Sequence, residues 1–156
     1  MPPRYCRDGH GVSREVEEML KRVCIASGAV FVVWLVVDFA IHGVILRSAY
    51  AQTPAFWRPA GEMKLILAFA TLLVAAVCFV GIFAHLVQPQ TIGAGIRYGL
   101  LFGIGKGISL GYGSYAVMPI PEDMAFVWFV GALIEAVVGG IVAAIVLAPR
   151  KESNAS

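Results

Sequence analysis

The sequence predicts an all-α membrane protein: a polytopic four-helix bundle, antiparallel up-down-up-down, with short loops. Composition gives the first indication, because hydrophobic residues make up 59% of the 156 residues and charged residues only 14%, against about 45–50% and about 25% in soluble domains. Small soluble domains bury only about two-thirds of the surface that their unfolded chains expose, so lipid must cover the rest. The second indication is that the apolar residues fall in four long segments without the alternating pattern of strands.

The charge and the cysteines exclude other classes of protein. The formal net charge is only +2, and no basic stripe interleaved with aromatic residues is present, so nucleic acid is not an expected partner. The cysteines Cys6, Cys24 and Cys78 are odd in number and lack C-x-x-C spacing, so they predict neither a disulfide framework nor a zinc site. The expected partner is the lipid bilayer, and we expect no cofactor and no bound metal.

Each of the four segments is long enough for the roughly 20 residues of helix that cross a bilayer. Helices are required because backbone polar groups in lipid must be satisfied within the segment. Short, proline-containing connections follow the second and third segments, which favours tight hairpins. The predicted spans form one domain, 23–149, and comprise residues 23–46, 63–87, 92–117 and 124–147.

The domain is flanked by polar segments. Residues 1–22 are predicted to be a cytoplasmic extension with a short amphipathic helix, capped by Ser13 and carrying Glu17–Lys21 and Glu18–Arg22 pairs at four-residue spacing. Residues 150–156 are predicted to be a cytoplasmic tail. The sequence Ala49-Tyr50-Ala51 resembles a signal-peptidase site, but the preceding segment is too long and polar for a signal peptide, so we expect it to remain a span.

Basic residues predict the orientation in the cell membrane, since cytoplasmic segments carry an excess of Lys and Arg. One side has three of them, Arg47, Arg58 and Lys64. We therefore expect both termini to be cytoplasmic, because the other side has Arg4, Arg7, Arg14, Lys21, Arg22, Arg97, Arg150 and Lys151.

The third segment carries an unbroken row of glycines at four-residue steps, which is typical of helices that pack backbone to backbone in membranes. The fourth segment repeats small residues at the same spacing, so the two segments are predicted to pack together. A homo-oligomer interface and a conduction-lining face are the alternatives. The predicted packing residues are Gly95, Gly99, Gly103, Gly107, Gly111, Gly131 and Gly139.

Two opposite charges lie inside these segments. If the hairpin is centred between residues 120 and 121, Lys106 and Glu135 are equally distant from its centre and meet near the middle of the membrane. A lone charge there costs about 2.5 kcal/mol or more, so pairing is favoured. The pair is either a structural ion pair or, alternatively, contains a protonatable carboxylate on an ion or proton path.

A second polar cluster is predicted toward the outer leaflet. Asp38 and His42 are four residues apart on one helix face, and Glu62 precedes the second span at the same end. An Asp–His hydrogen bond fixes the imidazole tautomer in proton relays and around metals or haem. The cluster is interpreted as structural hydrogen bonding, a proton or cation site, or a His-ligated cofactor site.

The order of several short motifs resembles a group of small bacterial four-helix membrane proteins to which no activity is assigned. The resemblance covers about residues 23–149 and implies the topology without giving any residue a role. Lys106 departs from the pattern. The motifs are D-x-x-x-H-G-x-x-L at 38–46, W-R-P at 57–59, R-Y-G at 97–99, Y-x-x-x-P-I-P at 115–121, and W-F at 128–129 followed by Glu135.

No Ser, His and Asp arrangement indicates catalysis, so an enzyme is not predicted. The first functional hypothesis is a non-enzymatic accessory, structural or self-associating subunit, in a homo-oligomer or a larger membrane complex. The alternative is a small proton- or cation-coupled transporter or channel with Asp38, His42, Lys106 and Glu135 on its path. A third hypothesis is a membrane enzyme or redox subunit that holds a cofactor with Asp38, His42 and Glu62.

Overall fold

The computed structural model describes residues 9–148, with the backbone alone for residues 9–12 and 60. The predicted tail 150–156 and residues 1–8 of the predicted extension lie outside this range. The described residues are helical and contain no strand. The helices are α1 (Gly9–Asp38), which continues as a π-helix (Phe39–Ile45), α2 (Arg47–Gln52), α3 (Leu65–Leu86), α4 (Ile92–Val117) and α5 (Glu122–Leu147), with single 3₁₀ turns at Pro54–Phe56 and Ala60–Glu62.

Three helical stretches in the described part are long and apolar enough to cross a membrane: Ser13–Ile45, Leu65–Leu86 and Glu122–Leu147. The chain therefore has the character of a membrane protein. The third predicted span, 92–117, coincides with α4, but α4 is not one of the three. Its eight glycines contribute little apolar side chain, and Arg97 and Lys106 add charge.

The start of the chain differs from the prediction. One helix runs from Gly9 into the first span, so Ser13 lies inside α1 and does not cap a separate helix. Lys21 pairs with Glu17 at 2.8 Å, as the spacing predicted. Arg22 instead donates to the backbone oxygens of Val146, at 3.2 Å, and Ala148. These are carbonyls that the end of α5 leaves without helical partners.

The protein has two ends, which we name by their contents. At the loop end, residues from 46–57 and 118–125 share an apolar cluster that includes Leu46, Ile120 and Met124. At the terminal end, the contact of Arg22 with Ala148 joins the early part of α1 to the end of α5. Between these ends, Trp34 of α1 packs with α3 through Phe79, with 5.2 Å between ring centroids.

The glycine row on α4 faces α5. A Cβ placed on Gly103 would lie 2.9 Å from Cα of Leu133, and one on Gly107 would lie 2.8 Å from the carbonyl oxygen of Phe129. Both distances are shorter than real Cβ contacts, so only glycine permits this approach. The two helices run in opposite directions, as the remaining pairs show: Gly95 with Gly140, Gly99 with Ala136 and Gly111 with Ala125.

The small residues of α5 serve two neighbours. A Cβ on Gly131 would lie 2.6 Å from Cδ1 of Ile41, and one on Gly139 would lie 2.7 Å from Nε1 of Trp34. These two glycines were predicted to form the face toward α4, but they face α1. Since successive helical residues are about 100° apart, the neighbouring Ala136 and Gly140 point to α4 instead.

We predict that Gly99→Ala destabilises the protein, whereas Gly105→Ala does not. A methyl group on Gly99 would lie 2.6 Å from Cα of Val137, a backbone atom that cannot move aside, while Gly105 has no such neighbour within 4 Å. Overpacking costs about 1–3 kcal/mol, and alanine at the open position improves helix propensity by up to about 1 kcal/mol. Thermal unfolding of the detergent-solubilised variants measures the difference, and equal stabilities would contradict the packing described.

Candidate functional site

Lys106 and Glu135 are in contact between α4 and α5. The Nζ atom of Lys106 donates to Oε2 of Glu135 at 3.0 Å. The Glu135 side chain is only 5% exposed, and that of Lys106 is 31% exposed. The ion pair therefore lies in apolar surroundings, where the attraction between opposite charges is stronger than in water.

The register of the hairpin differs from the one assumed from sequence. Gly107 faces Phe129, and Gly111 faces Ala125, which centres the helices on Met118. The backbone of Lys106 is therefore level with residues closer to the start of α5 than Glu135 is. Contact still forms because every helical side chain leans toward the N-terminus of its own helix, so side chains of antiparallel helices lean toward each other.

Trp34 of α1 contacts both members of the ion pair. Its Nε1 donates to the backbone oxygen of Glu135 at 2.7 Å, in the space that Gly139 leaves by having no side chain. The Nζ atom of Lys106 lies 5.0 Å from the centroid of the Trp34 ring, within the range of a cation–π interaction. The charge on Lys106 is thus stabilised by a carboxylate on one side and an aromatic face on another.

The structure brings Asp38 to the same place, whereas the sequence predicted two separate clusters and joined them only in the transporter hypothesis. Asp38 belongs to α1 and Glu135 to α5. Together with Lys106 and His42 they line a cavity of about 60 Å³. Two carboxyl groups can share a hydrogen bond only when one of them carries a proton. When the carboxyl groups of Asp38 and Glu135 share one proton, they have a single negative charge between them, which Lys106 balances.

A chain of polar side chains leads from this pair to the loop end. Asp38 Oδ1 lies 3.7 Å from His42 Nε2. His42 Nδ1 lies 2.5 Å from the hydroxyl of Tyr50, which also accepts a hydrogen bond from Trp128 Nε1 at 3.0 Å. When the Tyr50 hydroxyl donates to Nδ1, the proton of the neutral imidazole is on Nε2 and faces Asp38.

Tyr50, which belongs to this chain of polar side chains, remains a neutral phenol. Burial raises its pKa above the ordinary value of 10.0, and the nearby negative charge of Asp38 acts in the same direction, while the hydrogen bond from Trp128 opposes them. Near neutral pH the hydroxyl therefore keeps its proton, and it can both donate and accept hydrogen bonds. Tyr50 had been assigned no part in the site from sequence.

The π-helix places His42. It begins directly after Asp38, includes His42, and ends with a hydrogen bond from the Leu46 amide to the Ile41 carbonyl at 2.8 Å. π-Helical turns are rare and occur frequently at functional sites, because they change the direction of side chains within a helix. The residues Phe39–Ile45 carry no propensity signal that predicts this, apart from the weak helix former Gly43.

Glu62 is separate from this chain. It lies exposed in the 3₁₀ turn Ala60–Glu62, because residues 46–64 wind through α2 and two further turns before α3 begins. Glu62 does not line the cavity that Asp38 and His42 share. Among residues 13–148, no three His, Cys, Asp or Glu side chains are placed to hold a metal ion. No hydrogen bond, ion pair or shared cavity among the described residues joins Glu62 to Asp38 or His42.

Aromatic side chains fill the region between the ion pair and the terminal end. Phe79 and Phe83 are fully buried, and Tyr98 donates to the backbone oxygen of Phe79 at 2.9 Å. Phe102 packs edge-on against Phe79, with 5.0 Å between ring centroids. The polar chain therefore extends from Lys106 toward the loop end, while apolar rings occupy the opposite direction.

Comparison with known proteins adds no function. No protein-family model matches the chain, and searches of curated proteins and of solved structures find no match either. The resemblance to small bacterial four-helix membrane proteins therefore stays a prediction.

We predict that Asp38 and Glu135 can replace each other as the counter-charge of Lys106. In Asp38→Asn or Glu135→Gln the remaining carboxylate ionises and pairs with Lys106, so each single change is mild. The double variant leaves the ammonium without a partner, and unpairing a buried charge costs about 3–5 kcal/mol. Its destabilisation should therefore exceed the sum of the two single effects.

Denaturant unfolding in mild detergent near neutral pH measures this cycle. Lys64→Met is the matched control, because Lys64 is exposed at the start of α3, and it should leave stability unchanged. Restoring stability to the double variant with Lys106→Met would identify the ammonium as the cause. Additive single and double effects would contradict the shared site.

Proposed function

We propose that the protein is a small multi-pass protein of the cell membrane that couples to the movement of protons, as a transporter or channel. In this proposal α1, α3, α4 and α5 cross the bilayer as an antiparallel four-helix bundle, and both termini are cytoplasmic. The single observation that carries the proposal is that two carboxyl groups, those of Asp38 and Glu135, line one small cavity with Lys106, which is bonded to Glu135.

The contacts of α4 support its inclusion as a fourth span. Its 26 residues correspond to about 39 Å of helix, which exceeds a hydrocarbon core of about 30 Å. Its deficit in apolar side chains lies partly on the glycine face that α5 covers, so lipid does not meet that face. The same cover by α5 keeps the polar backbone groups at Gly95 to Gly111 away from lipid.

Charge at the two ends supports the orientation. Of the described basic residues, Arg14, Lys21, Arg22 and Arg97 belong to the terminal end, and Arg47, Arg58 and Lys64 belong to the loop end. Two of the terminal-end residues, Arg14 and Arg22, line one cavity with Gln88 and Leu147. Under the positive-inside rule the terminal end is cytoplasmic, and the loop end faces outward.

The buried carboxyl pair has the properties that proton coupling requires. Ionisable residues inside membrane spans are costly, and they commonly mark proton relays or ion paths. The pair can gain or lose one proton while Lys106 compensates the charge that develops. His42 and Tyr50 connect it to the loop end. This arrangement favours proton exchange over a purely structural ion pair, which needs only Lys106 and Glu135.

The distribution of polar and apolar side chains favours a transporter over an open channel. Proton-exchanging groups reach toward the loop end, whereas Phe79, Phe83 and Phe102 occupy the other direction. Transporters expose a central site to one side at a time. The π-helix that contains His42 is an irregular segment at which α1 can change its conformation.

A self-associating subunit is the second candidate, and a separate observation favours it. On the face of α4 away from α5, Gly105, Ser109 and Gly113 form a second small-residue row and are exposed. Small residues at four-residue spacing are typical of helix–helix association in membranes. A homo-oligomer formed through this row is compatible with proton coupling in each subunit.

Proton flux into vesicles tests the proposed function. The purified protein is reconstituted into phosphatidylcholine vesicles that contain a pH-sensitive dye, and the outside is acidified. We expect acidification of the interior by the wild-type protein and at least a ten-fold slower rate for Glu135→Gln, because the pair then lacks the carboxyl group nearest Lys106. Glu62→Gln is the matched control, since Glu62 is an exposed carboxylate that does not belong to the chain of polar side chains. This variant should keep the wild-type rate.

The outcome separates the two candidate functions. Equal rates for wild type, Glu135→Gln and empty vesicles, with the fold intact by circular dichroism, would contradict proton coupling. Self-association is followed independently by native electrophoresis of Ser109→Leu, which should dissociate an oligomer held by the second row without altering the flux of each subunit.

A further inference from the structure

A cavity of about 620 Å³ opens at the loop end, beside the end of the polar chain. Its volume is within the range of sites for small organic ligands. The apolar part of its wall includes Trp57, Pro59 and Met63, and its polar groups are His42, Tyr50 and Arg58. No carboxylate lines the cavity, so the charge that it presents is positive.

Arg58 provides that charge without a partner of its own. Its side chain is exposed, and it forms no ion pair with any residue in the described range. The guanidinium group carries donors in a planar fork that matches the two oxygens of a carboxylate. Since neighbouring Trp57 and Pro59 are apolar, an anion bound at Arg58 would have an apolar surface immediately beside its charged group.

The aromatic wall is held in place before any ligand arrives. Trp57 Nε1 donates to Thr53 Oγ1 at 2.9 Å. The Trp57 ring packs edge-on against Tyr50, at 4.9 Å between centroids, and against Trp128, at 6.1 Å. A preorganised wall lowers the entropic cost of binding. Tyr50 and Trp128 belong at the same time to the hydrogen-bonded chain.

We propose that this cavity binds a small organic acid with an apolar body, such as an aromatic carboxylate. The carboxylate pairs with Arg58, and the body packs against Trp57, Pro59 and Met63. This inference rests on the proposed proton coupling and names its substrate class. A free acid is favoured over a phospholipid because the cavity has the size of a small ligand and offers one isolated guanidinium.

Binding is coupled to proton uptake through His42. The charged and titratable groups that face His42 are Asp38 on its own helix, Tyr50 from α2, Arg58 across the cavity, and Lys106 and Glu135 across the smaller cavity. A bound carboxylate adds negative charge in the cavity beside His42, which favours protonation of His42 and the polar side chains connected to it. Proton uptake from solvent then accompanies anion binding.

Isothermal titration with phenylacetate tests the site, using protein in phosphatidylcholine nanodiscs with empty nanodiscs as the blank. The uncharged phenylacetamide and the cationic phenethylamine have the same apolar body. We expect phenylacetate to bind at least ten-fold more tightly than either. Arg58→Gln should remove that preference, whereas Arg47→Gln should retain it, because Arg47 is an arginine of the same end that does not line the cavity.

Repeating the titration in buffers of different ionisation enthalpy counts the protons taken up. We expect uptake on phenylacetate binding by the wild type, and binding without uptake by Glu135→Gln. Equal binding of phenylacetate and phenylacetamide, or no effect of Arg58→Gln, would overturn the site while leaving the flux result for Glu135→Gln unaffected. Loss of phenylacetate binding in phosphatidylglycerol nanodiscs would assign the cavity to a lipid headgroup and would also overturn it.

Discussion

The close approach of α4 to α5 is the constraint on which the rest of the structure depends. Gly103 and Gly107 bring the two backbones to a separation that no side chain would permit. At that separation Lys106 reaches Glu135 at 3.0 Å, and the cost of a charge among apolar helices is offset by its partner. Without the approach, Lys106 would be a lone ammonium on a long helix that contains no acidic residue. The packing of α4 on α5 and the ion pair therefore depend on each other. Packing explains the glycines, and the ion pair explains the charged residues.

The second consequence is that α5 organises both of its neighbours. One of its faces receives α4 at Ala136 and Gly140, and the adjacent face receives α1 at Gly131 and Gly139. Glu135 lies beside the face toward α1, so Asp38 lines the same small cavity as its carboxyl group, while Trp34 donates to its backbone oxygen. A single buried carboxylate thus joins three helices. Protonation of this group changes the charge at the point where three helices meet, so its ionisation is linked to helix packing.

Much of this could be predicted from the sequence, and the part that could not has a physical cause. Hydrophobic segments fix the extents of α3, α4 and α5 to within two residues, because lipid demands long apolar helices regardless of local propensity. The Lys106–Glu135 contact was predicted from a hairpin with a short turn, although the register of that hairpin differs from the one assumed. The position of Asp38 depends instead on how α1 packs against α5, and no short loop links these helices. The π-helix depends on tertiary packing around His42, which leaves no period in the sequence. Tyr50 and Arg58 lie in a connection whose path is set by turns rather than by apolar periodicity.

The composition of α4 connects the fold to its function. A helix whose surface faced lipid would carry leucines where α4 carries glycines. Those side chains would hold the backbones of α4 and α5 too far apart for Lys106 to reach Glu135. The glycines that permit the approach also lower the apolar content of α4, which is not among the three stretches that are long and apolar enough to cross a membrane. In the proposed four-span arrangement, the place of α4 in the membrane depends on α5, whose own apolar character is sufficient. A helix held by its neighbour rather than by lipid can carry a charge among apolar helices, and Lys106 of α4 is bonded there to the buried carboxylate of Glu135.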